Sequence, residues 1–187
     1  MDEAIRNFNK QFSFEPEIIN QQNFIKKDSF IVVGMGGSGL MPKLLKTFNP
    51  SLDITIHQDY GLPTLPTDKL KEKLIILSSY SGNTAEVIDA FNKTKEMNLA
   101  MVVITTGGEL LSLAQKSSVP YVQLPDAGVQ PRVAIGLSIK AFLKVLGMET
   151  ELENISTLVT SLKPLELEAT GKTLAEKLKI QIPIIYA

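Results

Sequence analysis

The feature that most constrains this fold is a fivefold alternation of short apolar runs with polar turns and amphipathic segments. The runs lie at residues 30–33, 54–57, 74–77, 101–104 and 121–124. Short aliphatic runs bounded by turn residues are typical of strands buried on both faces of a parallel sheet. Apolar residues at helical spacing follow over residues 40–48, 85–97, 108–114 and 131–146. The pattern predicts a three-layer α/β/α fold around a five-stranded parallel sheet, and we assume the flavodoxin-like strand order 2-1-3-4-5.

The segments on either side of this alternation predict helical extensions. Residues 1–29 are expected to form an N-terminal helical extension, with Phe8, Phe12 and Phe14 available to dock on the core. Residues 30–149 form the predicted α/β domain. Residues 150–181 are rich in Glu, Leu, Lys and Thr and predict a helical linker, whereas 182–187 predict the first strand of a second α/β unit. We interpret the chain as the first part of a longer protein.

Composition narrows the classes of partner. The 187 residues include 19 basic and 20 acidic residues, so the formal net charge is −1, which argues against nucleic acid or an anionic membrane as partner. The absence of cysteine excludes disulfides, thiolate catalysis and Cys-based zinc sites. No apolar run approaches the ~20 residues that span a bilayer, and the N-terminus lacks a signal-peptide core. We therefore expect a soluble, cytoplasmic protein.

A hydroxyl-rich stretch, Ser-Ser-Tyr-Ser-Gly-Asn-Thr at 78–84, joins the third predicted strand to its helix. Free N–H groups and the positive end of a helix dipole favour an anion at such a junction, so the stretch could cradle a phosphate. It could equally be a turn with an N-cap, because Ser, Thr and Asn are common there. With the assumed strand order, this stretch faces the glycine-rich loop at 34–39 across the carboxyl edge of the sheet.

The glycine-rich loop allows a second interpretation, as a dinucleotide-binding loop. Gly34, Gly36 and Gly39 match the dinucleotide-binding spacing after a strand, and Asp59 lies 20 residues beyond Gly39, where an acidic ribose partner is expected. This alternative predicts the NAD-binding Rossmann domain of a dehydrogenase. However, such a site does not call for Ser38 inside the loop or for a hydroxyl cluster after the third strand.

Several motifs resemble those of a known family. Gly36-Gly37-Ser38-Gly39, together with Ser79 to Glu86, resembles the SIS (sugar isomerase) domain. Tyr60 to Pro63, Thr105 to Leu110 and Gln130-Pro131-Arg132 are similar to the bifunctional phosphoglucose/phosphomannose isomerases. The resemblance runs from Phe30 to Leu146 and includes the last residues, so 182–187 would begin a truncated second SIS domain.

The resemblance implies an isomerase of glycolysis and gluconeogenesis that interconverts glucose 6-phosphate or mannose 6-phosphate with fructose 6-phosphate. Proton transfer through an enediolate would proceed without a metal or organic cofactor, in a homodimer. Arg132 is implied to stabilise the enediolate. Ser79, Ser81 and Thr84 would hold the phosphate, and Gly37 and Ser38 would line the sugar. The implied substrate-binding residues are Gly36, Gly37, Ser38, Ser79, Ser81 and Thr84.

The predicted helix over 131–146 places Arg132 in its first turn, where a positive charge opposes the helix dipole and destabilises the helix. A role in stabilising a developing oxyanion would explain why an arginine occupies this position. An exposed arginine without a role is the other reading. Isomerisation also needs a carboxylate base and a ring-opening acid–base, which the resemblance implies come from a second SIS half beyond residue 187. His57 is expected to be structural or solvent-facing, and Glu86 to complement the dipole of its helix. The chain would then supply the phosphate-binding half and be inactive alone; a non-catalytic module that senses a sugar phosphate is the remaining alternative.

Overall fold

The computed structural model describes residues 2–184 and contains a five-stranded parallel sheet. Its strands are β1 (Ser29–Val33), β2 (Asp53–His57), β3 (Leu74–Ser78), β4 (Met101–Thr105) and β5 (Tyr121–Gln123). The spatial order is β2-β1-β3-β4-β5, and every adjacent pair is parallel. The predicted fold and strand order are confirmed. The usual dinucleotide-binding order, 3-2-1-4-5-6, would instead place β4 beside β1.

Helices cover both faces of the sheet and extend the chain at both ends. Their bounds are α1 (Asp2–Arg6), α2 (Leu40–Phe48), α3 (Thr67–Lys71), α4 (Ala85–Glu96), α5 (Gly108–Lys116), α6 (Ile135–Leu146), α7 (Glu149–Ser156), α8 (Leu158–Ser161) and α9 (Pro164–Leu178). Pro42 lies in the first turn of α2, where its missing N–H leaves no intrahelical hydrogen bond unmade. Within residues 2–184 we find no helix that is both long and apolar enough to cross a bilayer.

The central strand β3 shows why the apolar runs are continuous. Successive side chains of a strand point to opposite faces. Leu74 and Ile76 pack in a core with α2 and α6, whereas Ile75 and Leu77 pack in a second core with α4 and α5. All four side chains are fully buried. A strand covered on both faces therefore needs apolar residues at every position, which is the pattern of a buried parallel sheet.

The N-terminal extension packs on the first of these cores. Phe12 is buried, and Phe8 and Phe14 are partly buried against the same cluster. Further along, Ile19 forms an isolated antiparallel bridge with Tyr121: the Ile19 N–H donates to the Tyr121 carbonyl at 2.8 Å, and the Tyr121 N–H donates back at 3.1 Å. The start of the chain therefore covers the free edge of β5.

At the C-terminal end, α7 follows α6 and contributes the buried Leu152, whereas α9 buries none of its residues. Residues 182–184 belong to no helix or strand, and 185–187 lie outside the described residues. The strand predicted over 182–187 stays a prediction, as does the division into a 30–149 domain and a 150–181 linker.

The helix predicted to begin at Pro131 begins instead at Ile135, so that boundary was wrong. Pro131–Val133 form a separate 3-10 turn, and Ala134 (φ −83°, ψ 32°) interrupts the helical backbone. A continuous α-helix would bond the Leu137 N–H to the Val133 carbonyl. Here the side-chain amide of Gln11 hydrogen-bonds both groups instead. Its Nε2 donates to the Val133 carbonyl at 2.8 Å, and its Oε1 accepts from the Leu137 N–H at 3.4 Å.

Candidate functional site

The serine loop, defined as residues 79–84 between β3 and α4, is folded by its own hydroxyl groups. The Ser79 Oγ lies 2.7 Å from the Thr84 Oγ1 and also accepts a hydrogen bond from the Gly82 N–H at 3.1 Å. The Ser81 Oγ accepts from the Asn83 N–H at 3.3 Å. These bonds close a compact loop directly ahead of the N-terminus of α4.

The three hydroxyl residues differ in exposure. Ser81 is exposed and Thr84 is half-buried, whereas Ser79 is only 1 % exposed and lies beneath the loop. Among the hydrogen bonds within residues 2–184, none uses the N–H of Ser81 or Thr84. The first N–H groups of a helix have no intrahelical acceptor, so the start of α4 adds donors at the same place. The loop thus presents N–H and O–H donors suited to an anion.

The loop that follows β4 supports the serine loop. The Tyr80 carbonyl accepts from the Thr106 N–H at 3.0 Å and from its Oγ1 at 2.6 Å. The Asn83 Oδ1 accepts from the Glu109 N–H at 3.0 Å, in the first turn of α5. At Gly82 the backbone is left-handed (φ 71°), and a Cβ there would lie 1.8 Å from the Gly107 oxygen. Only glycine allows the two loops to approach this closely.

A glycine turn, Gly36–Gly39, connects β1 to α2 on the other side of the serine loop. The Ser38 Oγ accepts a hydrogen bond from the Tyr80 N–H at 3.1 Å, which ties the two loops together. Gly36 has a left-handed backbone (φ 52°), and a Cβ built on it would meet open space. The structure therefore brings the glycine turn and the serine loop together at the carboxyl edge of β1 and β3.

Arg132 lies in the Pro131–Val133 turn, which packs on the glycine turn. A Cβ on Gly37 would lie 3.0 Å from the Arg132 backbone nitrogen and 3.2 Å from the Pro131 carbonyl carbon. The Arg132 residue is exposed. Because this turn precedes α6 and is separated from it by Ala134, Arg132 is not in the first turn of a helix. The dipole consequently gives no independent support for its role.

The remaining candidates lie at the end of β2, in the loop after it and at the start of α4. His57 ends the edge strand β2, and its Nε2 lies 3.2 Å from the Tyr60 carbonyl oxygen. Asp59 accepts from the Tyr60 N–H at 2.7 Å, within the same loop. Glu86 lies in the first turn of α4, as expected. Among residues 2–184, no cluster of three or more His, Asp or Glu residues is placed to hold a metal ion.

Two residues near the site were not identified as functional candidates from the sequence: Gln11 lies outside every motif, and Tyr80 lies within the serine motif without a role of its own. Gln11 is a polar residue in a polar segment, yet it contacts the turn of Arg132 from 122 residues away. Tyr80 has a buried hydroxyl with no hydrogen-bond partner within residues 2–184. Burial raises the pKa of Tyr80, the nearby backbone of Ala127 lowers it although it lies outside hydrogen-bond geometry, and the charge of Asp126 raises it.

Comparison with solved structures first identifies the class of fold to which the chain belongs. No protein-family model matches the chain. A solved structure of an RpiR transcription factor from Sphaerobacter thermophilus (sugar isomerase domain) matches with a TM-score of 0.51 and 18 % identity, over 84 % of this chain and 92 % of that one. At this identity the match shows the fold alone. Together with the sheet order, it identifies the fold as that of a SIS domain.

Sequence comparison with curated proteins then identifies homologues of the chain. A bifunctional phosphoglucose/phosphomannose isomerase from Caldicellulosiruptor bescii is 33 % identical over 175 residues, which cover 85 % of this chain and 50 % of the relative. A second from Aquifex aeolicus is 28 % identical over 193 residues, covering 98 % of this chain and 57 % of the relative. The chain is therefore a homologue of the bifunctional phosphoglucose/phosphomannose isomerases. It spans about half the length of these curated relatives.

Proposed function

We propose that this chain is the sugar-phosphate-binding part of a phosphoglucose/phosphomannose isomerase. The reaction is the interconversion of glucose 6-phosphate or mannose 6-phosphate with fructose 6-phosphate through an enediolate. The observation that carries the proposal is the meeting of the serine loop, the glycine turn and the Arg132 turn at one edge of the sheet, in a homologue of these isomerases.

The phosphate binds at the serine loop. The N–H groups of Ser81 and Thr84 take part in no hydrogen bond within residues 2–184 and stand beside the first turn of α4. The helix dipole favours a dianion there by about 0.3–1 kcal/mol. The exposed Ser81 and half-buried Thr84 supply hydroxyl donors. Ser79 lies beneath them and acts through its hydrogen bond to Thr84.

The sugar lies over the glycine turn, where Gly36 leaves open space and Ser38 already contacts the serine loop. The backbone of Arg132 packs next to Gly37, and its guanidinium is a cation for the sugar. Removal of the C2 proton of the aldose leaves negative charge on the C1 and C2 oxygens. A guanidinium remains protonated throughout and can stabilise this charge as it develops.

The base that removes the proton and the group that opens the sugar ring come from outside this chain. The longer relatives have room for a second α/β unit, and a homodimer places further side chains near the site. The isolated chain consequently binds sugar phosphate but turns it over little. A module that only senses sugar phosphate would bind in the same way, and turnover by the full-length protein separates the two functions.

Calorimetric titration and thermal shift with fructose 6-phosphate, a five-carbon sugar-acid 5-phosphate, inorganic phosphate and NAD test the proposal. At ~100 Kd of a binding ligand, we expect about 2.7 kcal/mol of added stability. The double variant Ser81→Ala/Thr84→Ala should weaken every phosphate ligand. Thr160→Ala/Ser161→Ala is the matched control, because those hydroxyls lie in α8 and donate to the carbonyl of Thr157 just before it. Preferential binding of NAD would overturn the proposal.

Rapid turnover by the isolated chain would contradict the proposal that the catalytic base lies outside it. If the 187-residue chain isomerised fructose 6-phosphate as fast as an intact relative, the base would have to lie within this chain. Glu86 and His57 would then be the first residues to substitute.

A further inference from the structure

Gln11 joins the N-terminal extension to the turn that carries Arg132. It lies in the 3-10 turn Phe8–Ser13 and is 9 % exposed. Its Nε2 donates to the Val133 carbonyl at 2.8 Å. Its Oε1 accepts from the N–H of Gly136 at 3.0 Å and of Leu137 at 3.4 Å. One carboxamide thus contacts the backbone on both sides of Ala134.

These contacts replace two ordinary features of a helix start. The N-cap position of α6 is Ala134, which has no side-chain acceptor, and the Gln11 Oε1 accepts from the second and third helical residues as an N-cap oxygen would. The Gln11 Nε2 meanwhile occupies the Val133 carbonyl, which a continuous helix would pair with Leu137. Gly136 leaves room for this arrangement, because a Cβ there would lie 2.7 Å from the Gln11 Cβ.

The Arg132 turn is therefore held from two sides. Gly37 packs against the backbone of Pro131 and Arg132, and Gln11 binds the carbonyl of the next residue, Val133. The side chain of Arg132 is exposed, so its direction depends on how its backbone is held. We propose that Gln11 is a positioning residue for Arg132, which fixes the turn so that the guanidinium points over the glycine turn; this inference rests on the function proposed above.

The chemistry of a carboxamide makes the role specific. It offers an acceptor to α6 and a donor to Val133 at the same time. Gln11→Glu keeps the acceptor, and its negative charge suits a helix N-terminus, but it sets a second oxygen against the Val133 carbonyl. The substitution therefore preserves the start of α6 and disturbs the turn. Gln11→Met, of similar size, removes both contacts without adding charge.

The test compares two ligands on the full 187-residue chain. The sugar-acid 5-phosphate carries a carboxylate that copies the enediolate charge, whereas inorganic phosphate reports only on the serine loop. We expect Gln11→Glu to weaken the sugar-acid phosphate about tenfold, equivalent to ~1.4 kcal/mol, and to change inorganic phosphate less than twofold. Gln22→Glu, exposed in the same extension, is the charge-matched control and should change neither.

A double-mutant cycle shows whether Gln11 acts through Arg132. Arg132→Ala should also weaken the sugar-acid phosphate, and adding Gln11→Glu to it should cause no further loss. If Gln11→Glu does not fold, Gln11→Met is measured in the same way, with the same expectation. Circular dichroism checks that each variant is folded.

The outcomes separate the inference from the function. If Arg132→Ala weakens the sugar-acid phosphate while Gln11→Glu binds it like the wild type, the positioning role is wrong and the function stands. Equal weakening of both ligands by Gln11→Glu would indicate a structural role and also overturn the inference. If Arg132→Ala has no effect on the sugar-acid phosphate, the proposed role of Arg132 fails, and that of Gln11 fails with it.

Discussion

The close approach of the loops after β3 and β4 predicts a large cost for Gly82→Ala. Gly82 is buried with φ at 71°, and an added Cβ would lie 1.8 Å from the Gly107 oxygen and 2.9 Å from the Thr105 Oγ1. The first contact is with backbone, which no rotamer change relieves. Replacement by alanine therefore forces the two loops apart.

Two costs contribute to the magnitude. A left-handed backbone costs an L-residue about 1 kcal/mol, and separating tightly packed segments costs about 1–3 kcal/mol. The reduced entropy of the unfolded alanine chain returns about 0.5 kcal/mol. The net loss is about 1.5–3.5 kcal/mol, which for a chain of this length lowers Tm by roughly 3–14 °C.

Urea denaturation and thermal unfolding of Gly82→Ala, compared with Gly36→Ala, measure this loss. Gly36 has a similar φ of 52°, but its Cβ would meet nothing within 4 Å. Its substitution should therefore cost only the backbone term less the same entropy gain, about 0.5 kcal/mol. If the two variants differ by less than about 0.5 kcal/mol, the contact with Gly107 carries no weight and the reasoning fails.

Three further predictions concern other parts of the molecule. Lys140→Met should lower the free energy of unfolding by about 2 kcal/mol, because the buried ammonium donates to the Phe12 carbonyl at 2.8 Å. Lys144→Met breaks only a partly exposed ion pair with Glu149 and should lower it by less than about 1 kcal/mol. Equal losses in urea denaturation would contradict this. Tyr80→Phe should cost no more than about 0.5 kcal/mol in the same assay, since its hydroxyl makes no hydrogen bond of good geometry within residues 2–184. A loss above about 1 kcal/mol would show that the nearby Ala127 backbone binds it. The Ser29 hydroxyl and then the Lys73 ammonium hold the pKa of Asp53 below its usual 3.8, so the stabilisation is present above pH 3.8 and is lost as the pH falls through the lowered folded-state pKa. The difference in unfolding free energy between wild type and Asp53→Asn should close on acidification, and a gap that stays constant would refute this sign.

The sheet could be predicted because its signal is local. The strands β1, β3 and β4 are each an apolar run bounded by turn residues. The burial of Leu74–Ser78 on both faces of the sheet shows why such a run is continuous. The strand order was an assumption about the fold. Once it held, the meeting of the glycine turn and the serine loop followed from the geometry of parallel strands.

The start of α6 could not be predicted because the deciding contact is not local. Proline at position 131 is a good start signal for a helix, and the apolar spacing continues from it. The carboxamide of Gln11 nevertheless binds the backbone at Val133 and Gly136, and no pattern in the sequence links these distant positions. The position of Arg132 relative to the helix was missed for the same reason.

The pairing of Ile19 with Tyr121 has a consequence for association between molecules. The unpaired edge of a sheet can template another chain, and proteins block such edges with short strands or a covering segment. Here β5 has only three residues, and Ile19 already occupies the outward N–H and carbonyl of Tyr121. Intermolecular growth of the sheet is thereby blocked on this side. Removal of the first 20 residues would expose the Tyr121 edge, so such a truncation would make the protein prone to aggregate.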